Sequence, residues 1–306
     1  MALERFLTKT ETLKKPNTLR KYRCVLNRFV EHFKERPTID AITNGDIDEF
    51  IITLMRKHHM SANTVIHNTV IIARFLRRQG RPNMTTQVQL PGAIRTLPRE
   101  YTEEDLTRFF DACDSFERAL FSAFLLTGVR EQEMVYLLWS DLNFKLRTFR
   151  VTAKPQLGFY PKRWEEREIP IPVQLAEILR EHPRRMGTEF VFPSPTGNRE
   201  QNMLLRCKEV AARAGLDPAR FDVKTFRSTF ATRMLREGFD VRTVQHWMGH
   251  KSLETTMRYL VPATEVHDRL DRVMVPGTVP NRKGPITAEG RKLLQANPRA
   301  KKPKRL

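Results

Sequence analysis

A stretch with no hydrophobic period separates two patterned parts of the chain. Between positions 80 and 100 it contains Pro82, Pro91 and Pro98 and several small polar residues. Proline interrupts helix interiors and central strands, so such a stretch favours a connection between folded units. With 306 residues, the chain has room for two domains of about 150 residues each. The sequence therefore predicts an N-terminal domain at 1–82, a linker at 83–100 and a second domain at 101–272.

The N-terminal domain is predicted to be a small helical bundle. Apolar side chains recur at steps of three and four along 17–36, 45–57 and 61–78, the period of amphipathic helices, and Asn17 or Thr18 is suited to cap the first. Cations lie on the polar side of the first helix and near the end of the third. We expect them to contact an anionic partner, although an ordinary solvated face is the alternative for the first helix taken alone. The predicted contact residues are Arg20, Lys21, Arg28, Arg74, Arg77 and Arg78.

The second domain is predicted to be mainly helical with one hairpin. Thr102 precedes three acidic residues, a combination that favours a helix start, and an apolar helix follows at 116–126. Residues 148–152 and 168–171 are typical of short strands, and the polar stretch between them indicates a long or bulged hairpin. The predicted fold class is therefore mainly α with a small β-sheet.

The charge balance indicates the kind of partner. Lysine and arginine total 54 against 35 aspartate and glutamate residues, a net charge of +19. An excess of this size favours a polyanionic partner. From Val275 onward there are five prolines and nine basic residues against one acid, so 273–306 is predicted to be a basic, flexible tail.

Several classes of protein are disfavoured by what the sequence lacks. No apolar run approaches the ~18 residues of a membrane span, and neither a P-loop nor a dinucleotide-binding motif is present. Cys24, Cys113 and Cys207 lie far apart and form no CxxC pair. A protein of the reducing cytoplasm, without a membrane partner or a zinc ribbon, is the expectation.

Two segments place basic residues at helix starts. In the first, an apolar helix breaks at Gly128, and Arg130 begins the next helix one turn before Glu133, which allows an ion pair. In the second, Lys224 and Arg227 share a helical face. Two such cations repel unless an anion lies between them, and a phosphate suits the forked donors of arginine.

A third segment displays a histidine shortly before a tyrosine. Gly249 is suited to end a helix, which leaves His250 on the turn, and Tyr259 lies nine positions further on. Taken singly, a surface ion pair, a structural histidine and a structural tyrosine are ordinary features of proteins. Their order and spacing along the chain are what indicate a shared site.

In that order, the segments TGVREQE, KTFRSTFAT, MGHKS and RYL resemble the motifs of the tyrosine recombinases, also called the phage integrase family. The family's pattern is matched by Arg130, Lys224, Arg227, His250 and Tyr259, although many members carry His where Lys224 stands. The resemblance covers roughly residues 10 to 270. It implies a helical, SAM-like core-binding domain followed by a mixed α+β tyrosine recombinase catalytic domain.

The resemblance implies a site-specific DNA recombinase or integrase that cuts and rejoins strands through a 3′-phosphotyrosyl intermediate. Tyr259 would attack the scissile phosphate while Arg130 and Arg227 hold its non-bridging oxygens. Lys224 would act as general base or phosphate contact, and Glu133 would orient a catalytic cation. Because the covalent bond retains the phosphodiester energy, neither ATP, a metal nor another cofactor is expected. Integration or excision of a mobile element is the predicted role.

The resemblance further implies a general-acid lysine in the hairpin, for which two candidates exist. Counting forward from Arg130 favours Lys154, whereas counting back from the strand at 167–170 favours Lys162. Lys162 is preferred because it lies nearer the predicted turn. Lys154 remains the alternative.

Double-stranded DNA is the expected partner, and the resemblance implies a homotetramer on two DNA sites, with accessory DNA-bending proteins as further candidates. The protein is expected to be cytoplasmic and associated with the nucleoid. A type IB topoisomerase-like activity and a catalytically silent DNA-binding protein of the same fold stay open as alternatives. A metal-dependent integrase would instead require a carboxylate triad.

Overall fold

The computed structural model describes residues 2–11, 16–36, 38–85, 88–92 and 96–260. The chain divides into two compact units, the first at residues 1–96 and the second from Leu97 onward, and each unit has its own hydrophobic core. The predicted tail at 273–306 and the positions 261–272 lie outside the described residues. The assignment of domains therefore stays a prediction.

The first unit is helical, as predicted. Phe29 packs edge-on against Phe50 and Phe75 in its core, with ring centroids 5.5 and 6.5 Å apart. Thr43 and Ser61 cap two of the helices by accepting hydrogen bonds from backbone N–H groups three residues on. The helices are α1 (Ala2–Glu11), α2 (Pro16–His32), α3 (Asn44–Arg56) and α4 (Ala62–Arg78).

Two details of this unit correct the sequence prediction. Helix α2 begins at Pro16 rather than after a cap at Asn17 or Thr18, because proline has no N–H to satisfy and its fixed φ suits a first turn. The helix ends at His32, four residues before the predicted end. Helix α1 was not predicted at all, since its ten residues carry charges among few apolar positions.

Helices dominate the described part of the second unit. Thr102 accepts a 3.1 Å hydrogen bond from the Asp105 N–H, which confirms the predicted cap of the first of them. The helices are α5 (Glu103–Asp111), α6 (Ser115–Thr127), α7 (Glu131–Val135), α8 (Val173–Glu181), α9 (Met203–Arg213), α10 (Val223–Arg236), α11 (Val241–Met248) and α12 (Leu253–Met257). Among the described residues, no helix is long and apolar enough to span a membrane.

A small antiparallel sheet accompanies these helices. Its strands are β1 (Leu142–Asn143), β2 (Thr148–Val151) and β3 (Arg167–Pro170), in that spatial order. Strands β2 and β3 confirm the predicted hairpin, while β1 is too short to give a periodic pattern. Alternate residues of β3 are buried, so Arg167 points to the same inner face as Ile169.

Helix α6 occupies the centre of this unit and sets the position of the elements around it. Phe121 is fully buried and stacks on Phe226 of α10, with ring centroids 5.5 Å apart. The helix ends at Gly128, which has φ of 61°. A Cβ at this glycine would lie 2.3 Å from Cδ1 of Phe230, so only glycine allows α10 to pass this close. The chain then turns directly into Arg130.

Candidate active site

Arg130 lies between the start of α7 and the end of α11. Its backbone N–H and its Nη1 donate to the two oxygens of Glu133, both at 2.9 Å, which confirms the predicted ion pair. Its Nη2 donates to the carbonyl of Gly249 at 2.7 Å. The guanidinium is thereby oriented from two sides.

Arg227 extends from α10 into the same region. It is buried, and its two Nη groups donate to the carbonyls of Gly128 and Met248. Burial, together with the positive charge of Arg130, lowers its pKa to about 9, so the side chain stays protonated at neutral pH. Lys224, one turn earlier on α10, is exposed and its charge acts on Glu131.

His250 follows the turn that ends α11. Gly249 has φ of 60°, the left-handed conformation that commonly ends helices, and the His250 N–H donates to the carbonyl of Gln245 at 3.1 Å. Nδ1 of the imidazole lies 2.9 Å from Oγ1 of Thr256. The ring is thus anchored at Nδ1, and Nε2 is the nitrogen available to a ligand.

The imidazole of His250 is neutral at physiological pH. Burial is the main cause of a pKa lowered to about 3, and the surrounding cations add to it. A neutral histidine can accept a proton or share a hydrogen bond, which a permanently charged one cannot. The cations that act on the ring are Arg227, Arg130, Arg167 and Lys162.

Tyr259 lies beside His250. The two rings are nearly parallel, with centroids 6.0 Å apart, and the Tyr259 N–H donates to the carbonyl of Thr256 at 3.0 Å. The tyrosine is half-buried against a small apolar cluster that includes Val244 and Met248. The structure therefore brings together four of the predicted residues: Arg130, Arg227, His250 and Tyr259.

A buried ion pair that the sequence analysis missed completes this arrangement. Arg167 donates from Nη1 and Nη2 to the two oxygens of Glu133, at 3.0 and 2.6 Å, and from Nε to the carbonyl of Trp247 at 2.7 Å. Burial raises the pKa of the Glu133 carboxyl, but Arg167 and Arg130 outweigh it and lower that pKa to about 2. The only available signal was the alternation of Arg167 with Ile169 along the strand, which does not distinguish a buried arginine from a solvated one.

The charges of this cluster do not cancel. Three guanidinium groups, those of Arg130, Arg167 and Arg227, surround one carboxylate, that of Glu133. Two positive charges remain among these four side chains, so the cluster is suited to bind an anion. Within the described ranges, no group of three or more His, Cys, Asp or Glu side chains is arranged to hold a metal.

The two candidate lysines occupy different environments. Lys154 is buried, with its Nζ 2.9 Å from Oδ2 of Asp141, and it also donates to Oγ1 of Thr152. Lys162 is exposed and lines a cleft of about 240 Å³ together with Gly249 and His250. The structure thus places Lys162 in the same cleft as His250, whereas Lys154 is engaged by a carboxylate.

The first unit carries a separate basic cleft of about 540 Å³. Arg74 is held there by a 2.6 Å hydrogen bond from its Nη1 to the hydroxyl of Tyr22. Of the predicted contact residues, Arg20, Lys21 and Arg28 are not part of the lining. Lys9 belongs to the lining and was missed because α1 was not predicted. The lining consists of Phe6, Lys9, Thr10, Tyr22, Arg74, Arg77 and Arg78.

Residues 99–265 match the sequence profile of the phage integrase family. Among curated relatives, the tyrosine recombinase XerC of Oceanobacillus iheyensis is 28% identical over 262 residues, covering 80% of this chain and 85% of that protein. The tyrosine recombinase XerA of Pyrococcus furiosus is 27% identical over 284 residues, covering 88% and 93%.

Solved structures are similar to this chain in fold. An integrase of the Tn1549 transposon in complex with a circular intermediate DNA superposes with a TM-score of 0.71 at 18% identity, covering 89% of this chain and 98% of that one. A lambda integrase dimer bound to a COC′ core site gives a TM-score of 0.67 at 16% identity, covering 84% and 93%.

Proposed function

The chain belongs to the phage integrase family of tyrosine recombinases, and we propose on that basis that it cuts and rejoins DNA through a 3′-phosphotyrosyl intermediate on Tyr259. Site-specific recombination is the activity that family membership supports, with DNA as the partner, as in related integrases and recombinases bound to their DNA sites. The covalent intermediate and the biological role go further and are our proposal.

One observation carries the proposal, namely that Tyr259 lies next to His250, which the guanidinium cluster surrounds. A phosphodiester bears one negative charge, and a second develops in the pentavalent transition state. The two uncompensated positive charges of the cluster match the two negative charges of this transition state. Fixed cations aimed at a developing charge stabilise the transition state more than the ground state.

The residues supply the other requirements of the reaction. A tyrosine hydroxyl has an ordinary pKa of ~10 and needs a proton acceptor and nearby cations before it can attack. Arg130 and Arg227 would hold the non-bridging oxygens, and the neutral His250 would share a hydrogen bond through Nε2. Lys162 would protonate the 5′-oxygen as it leaves, with Lys154 as the alternative. Lys224 would contact the phosphate or act as base.

DNA binding by the first unit is the second part of the proposal. Its basic cleft presents the cations of Lys9, Arg74, Arg77 and Arg78, while Phe6 and Tyr22 supply an apolar floor. Arginine side chains on such a surface suit backbone phosphates, which give affinity without sequence preference. We assign the protein to integration or excision of a mobile element, acting as a tetramer on two DNA sites, in a nucleoid-associated cytoplasmic setting.

The experiment uses a DNA site selected from a random library and a version of it that carries a nick beside the scissile phosphate. The nick releases the 5′-hydroxyl fragment, so a covalent adduct accumulates and is seen on a denaturing gel. Exchange of strands between two cognate duplexes and relaxation of a supercoiled plasmid that carries the site are then measured. An adduct with exchange supports recombination, whereas an adduct with relaxation of supercoils alone identifies a topoisomerase-like enzyme. Specific binding without any adduct identifies a silent DNA-binding protein.

A further inference from the structure

We propose that Arg167 is a positioning residue of this active site: by joining Glu133 to the end of α11, it fixes Arg130 and His250 in the arrangement that the scissile phosphate requires. The proposal rests on the proposed function, since it assigns the part that one further side chain plays in the same chemistry. It concerns a residue of strand β3 that lies on none of the segments that carry the family resemblance.

The contacts of Arg167 use its whole guanidinium group. Two parallel hydrogen bonds, at 3.0 and 2.6 Å, join its Nη atoms to Glu133, while Nε donates at 2.7 Å to the carbonyl of Trp247. The side chains of Arg167 and Glu133 are almost fully buried, at 4% and 2% exposure. A planar fork in this environment holds its partners in one geometry. Arg167 thereby links β3, α7 and α11.

The link to Glu133 orients Arg130. The same carboxylate that receives Arg167 also receives the backbone N–H and Nη1 of Arg130. Because Arg167 holds both oxygens of this carboxylate, the carboxylate is restrained from rotating, and Arg130 keeps one orientation. Without Arg167, Glu133 would retain only Arg130 as a partner, and the hydrogen bond of Arg130 to the Gly249 carbonyl would be the one remaining restraint on that pair from α11.

The link to Trp247 is one of three similar contacts at the end of α11. Arg167, Arg227 and Arg130 donate to the successive carbonyls of residues 247, 248 and 249, and each of these arginines comes from a different element. Helix ends leave such carbonyls without partners inside the helix. The three arginines satisfy them and so fix the turn that carries His250.

Gly249 shows how closely this turn is packed. A Cβ at this position would lie 3.2 Å from both Cζ and Nη1 of Arg167 and 3.3 Å from Nη1 of Arg130. The guanidinium groups therefore rest against the backbone of the turn itself. A shorter or non-planar side chain at 167 cannot fill this space and reach both partners.

Arg167 also contributes to the charge around His250. The groups that act on this imidazole are Arg227 from α10, Arg130 from the start of α7, Lys162 from the hairpin and Arg167 from β3, and Tyr259 stacks on it. Glu133 faces Arg130 and Arg167. Removing the charge of Arg167 should raise the pKa of both His250 and Glu133.

The test compares Arg167→Gln, which removes the charge and the fork, with Arg167→Lys, which keeps only the charge. Arg206→Gln is the matched control, because Arg206 forms a similar 3.1 Å ion pair with the buried Glu200 on a different part of the same unit. Affinity for the selected DNA site, single-turnover adduct formation on the nicked site and the pH dependence of that rate are measured for each protein. Histidine NMR of the free proteins follows the His250 imidazole.

We expect Arg167→Gln to bind DNA within a few-fold of the parent chain and to form the adduct about 10- to 100-fold more slowly, as is common when an orienting partner is lost. Its His250 resonance should titrate at higher pH. Arg167→Lys should restore the titration but not the rate, since an ammonium lacks the fork. The control should change neither quantity.

Other outcomes overturn the proposal. Full activity of Arg167→Lys would show that only the charge of Arg167 matters, and an Arg167→Gln rate equal to that of the control would show that it positions nothing. If Arg167→Gln does not fold, Arg167→Lys alone decides between these readings. Absence of any adduct from the parent chain would instead refute the proposed function. In that case the NMR titration would still test whether Arg167 acts on the His250 imidazole.

Discussion

The ring of Tyr259 lies almost parallel to that of His250, with 12° between their planes and 6.0 Å between their centroids. Thr256 joins the two residues, because its Oγ1 lies 2.9 Å from Nδ1 of His250 and its carbonyl accepts the N–H of Tyr259. The two rings therefore stack although nine positions separate them in the sequence. The short helix α12 is what brings the tyrosine back over the histidine.

Replacing Tyr259 by phenylalanine should separate chemistry from binding. The ring and its stack on His250 are kept, so specific DNA binding should be unchanged, while the nucleophilic oxygen is gone and the adduct should be absent from a denaturing gel. Tyr136→Phe is the control, since it removes the hydroxyl that accepts a hydrogen bond from Arg199 outside this cluster. Adduct at the parent level from Tyr259→Phe would rule out Tyr259 as the nucleophile.

The two hairpin lysines can be told apart by their leaving-group chemistry. Lys162→Ala should slow cleavage much more than Lys154→Ala, and a 5′-bridging phosphorothiolate, whose thiolate departs without a proton, should restore the rate of Lys162→Ala. Lys154→Ala is expected mainly to lower stability, on the order of 3 kcal/mol, because it leaves the buried Asp141 without its cation. Rescue confined to Lys154→Ala would identify Lys154 as the acid.

Most elements of this fold follow from local sequence. The apolar period predicted α2, α3, α4 and α6 within a few residues, and Gly128 and Gly249 marked two helix ends because both adopt positive φ. Helix α1 and strand β1 were not predicted, since a short charged helix and a two-residue strand carry too little periodicity. Both depend on contacts with other elements: Phe6 of α1 packs against Phe75 of α4, and β1 exists only through its pairing with β2.

The candidate site was predictable only where order along the chain carried information. Arg130, Arg227, His250 and Tyr259 stand in a recognisable sequence of motifs and come together in the structure. Arg167 did not stand out, because its partner Glu133 lies 34 positions away and a lone arginine in a strand suggests a solvated side chain. Its role depends on the inward face of β3, which the sheet defines.

Gly249→Ala should impair cleavage, whereas Gly238→Ala should not. Both glycines have positive φ, 60° and 87°, so each substitution should cost about 1–2 kcal/mol of stability in backbone strain. Only at Gly249 would the new Cβ press on Arg167 and Arg130, since nothing lies within 4 Å of a Cβ at Gly238. Thermal melting and adduct formation are compared. Equal rates in the two variants would show that the contact at Gly249 does not matter for catalysis.

The free energy of unfolding should decrease as the pH is lowered, because the folded protein holds His250 neutral. Its pKa is lowered to about 3 in the folded protein, against ~6.5 in an unfolded chain. As pH drops below about 6.5 the unfolded chain takes up a proton that the folded protein refuses, so stability is lost progressively down to about pH 3. Urea unfolding of His250→Asn between pH 7 and 5 should show a shallower decline than the parent. The exposed His246→Asn is the control, and a slope for His250→Asn as steep as that of the parent would contradict the assignment.

The basic cleft of the first unit should determine how DNA affinity depends on salt. Each phosphate contact contributes about 0.9 to the slope of log affinity against log salt concentration, because it releases counterions. The double variant Arg77→Gln, Arg78→Gln should lose up to that amount per residue, while adduct formation at saturating DNA should stay at the parent level. Lys34→Gln is the control, since Lys34 is exposed outside the cleft and paired with Glu31 at 3.1 Å. A double variant with the salt slope of this control would show that DNA does not occupy the cleft, and the assignment of Tyr259 and its neighbours would be unaffected.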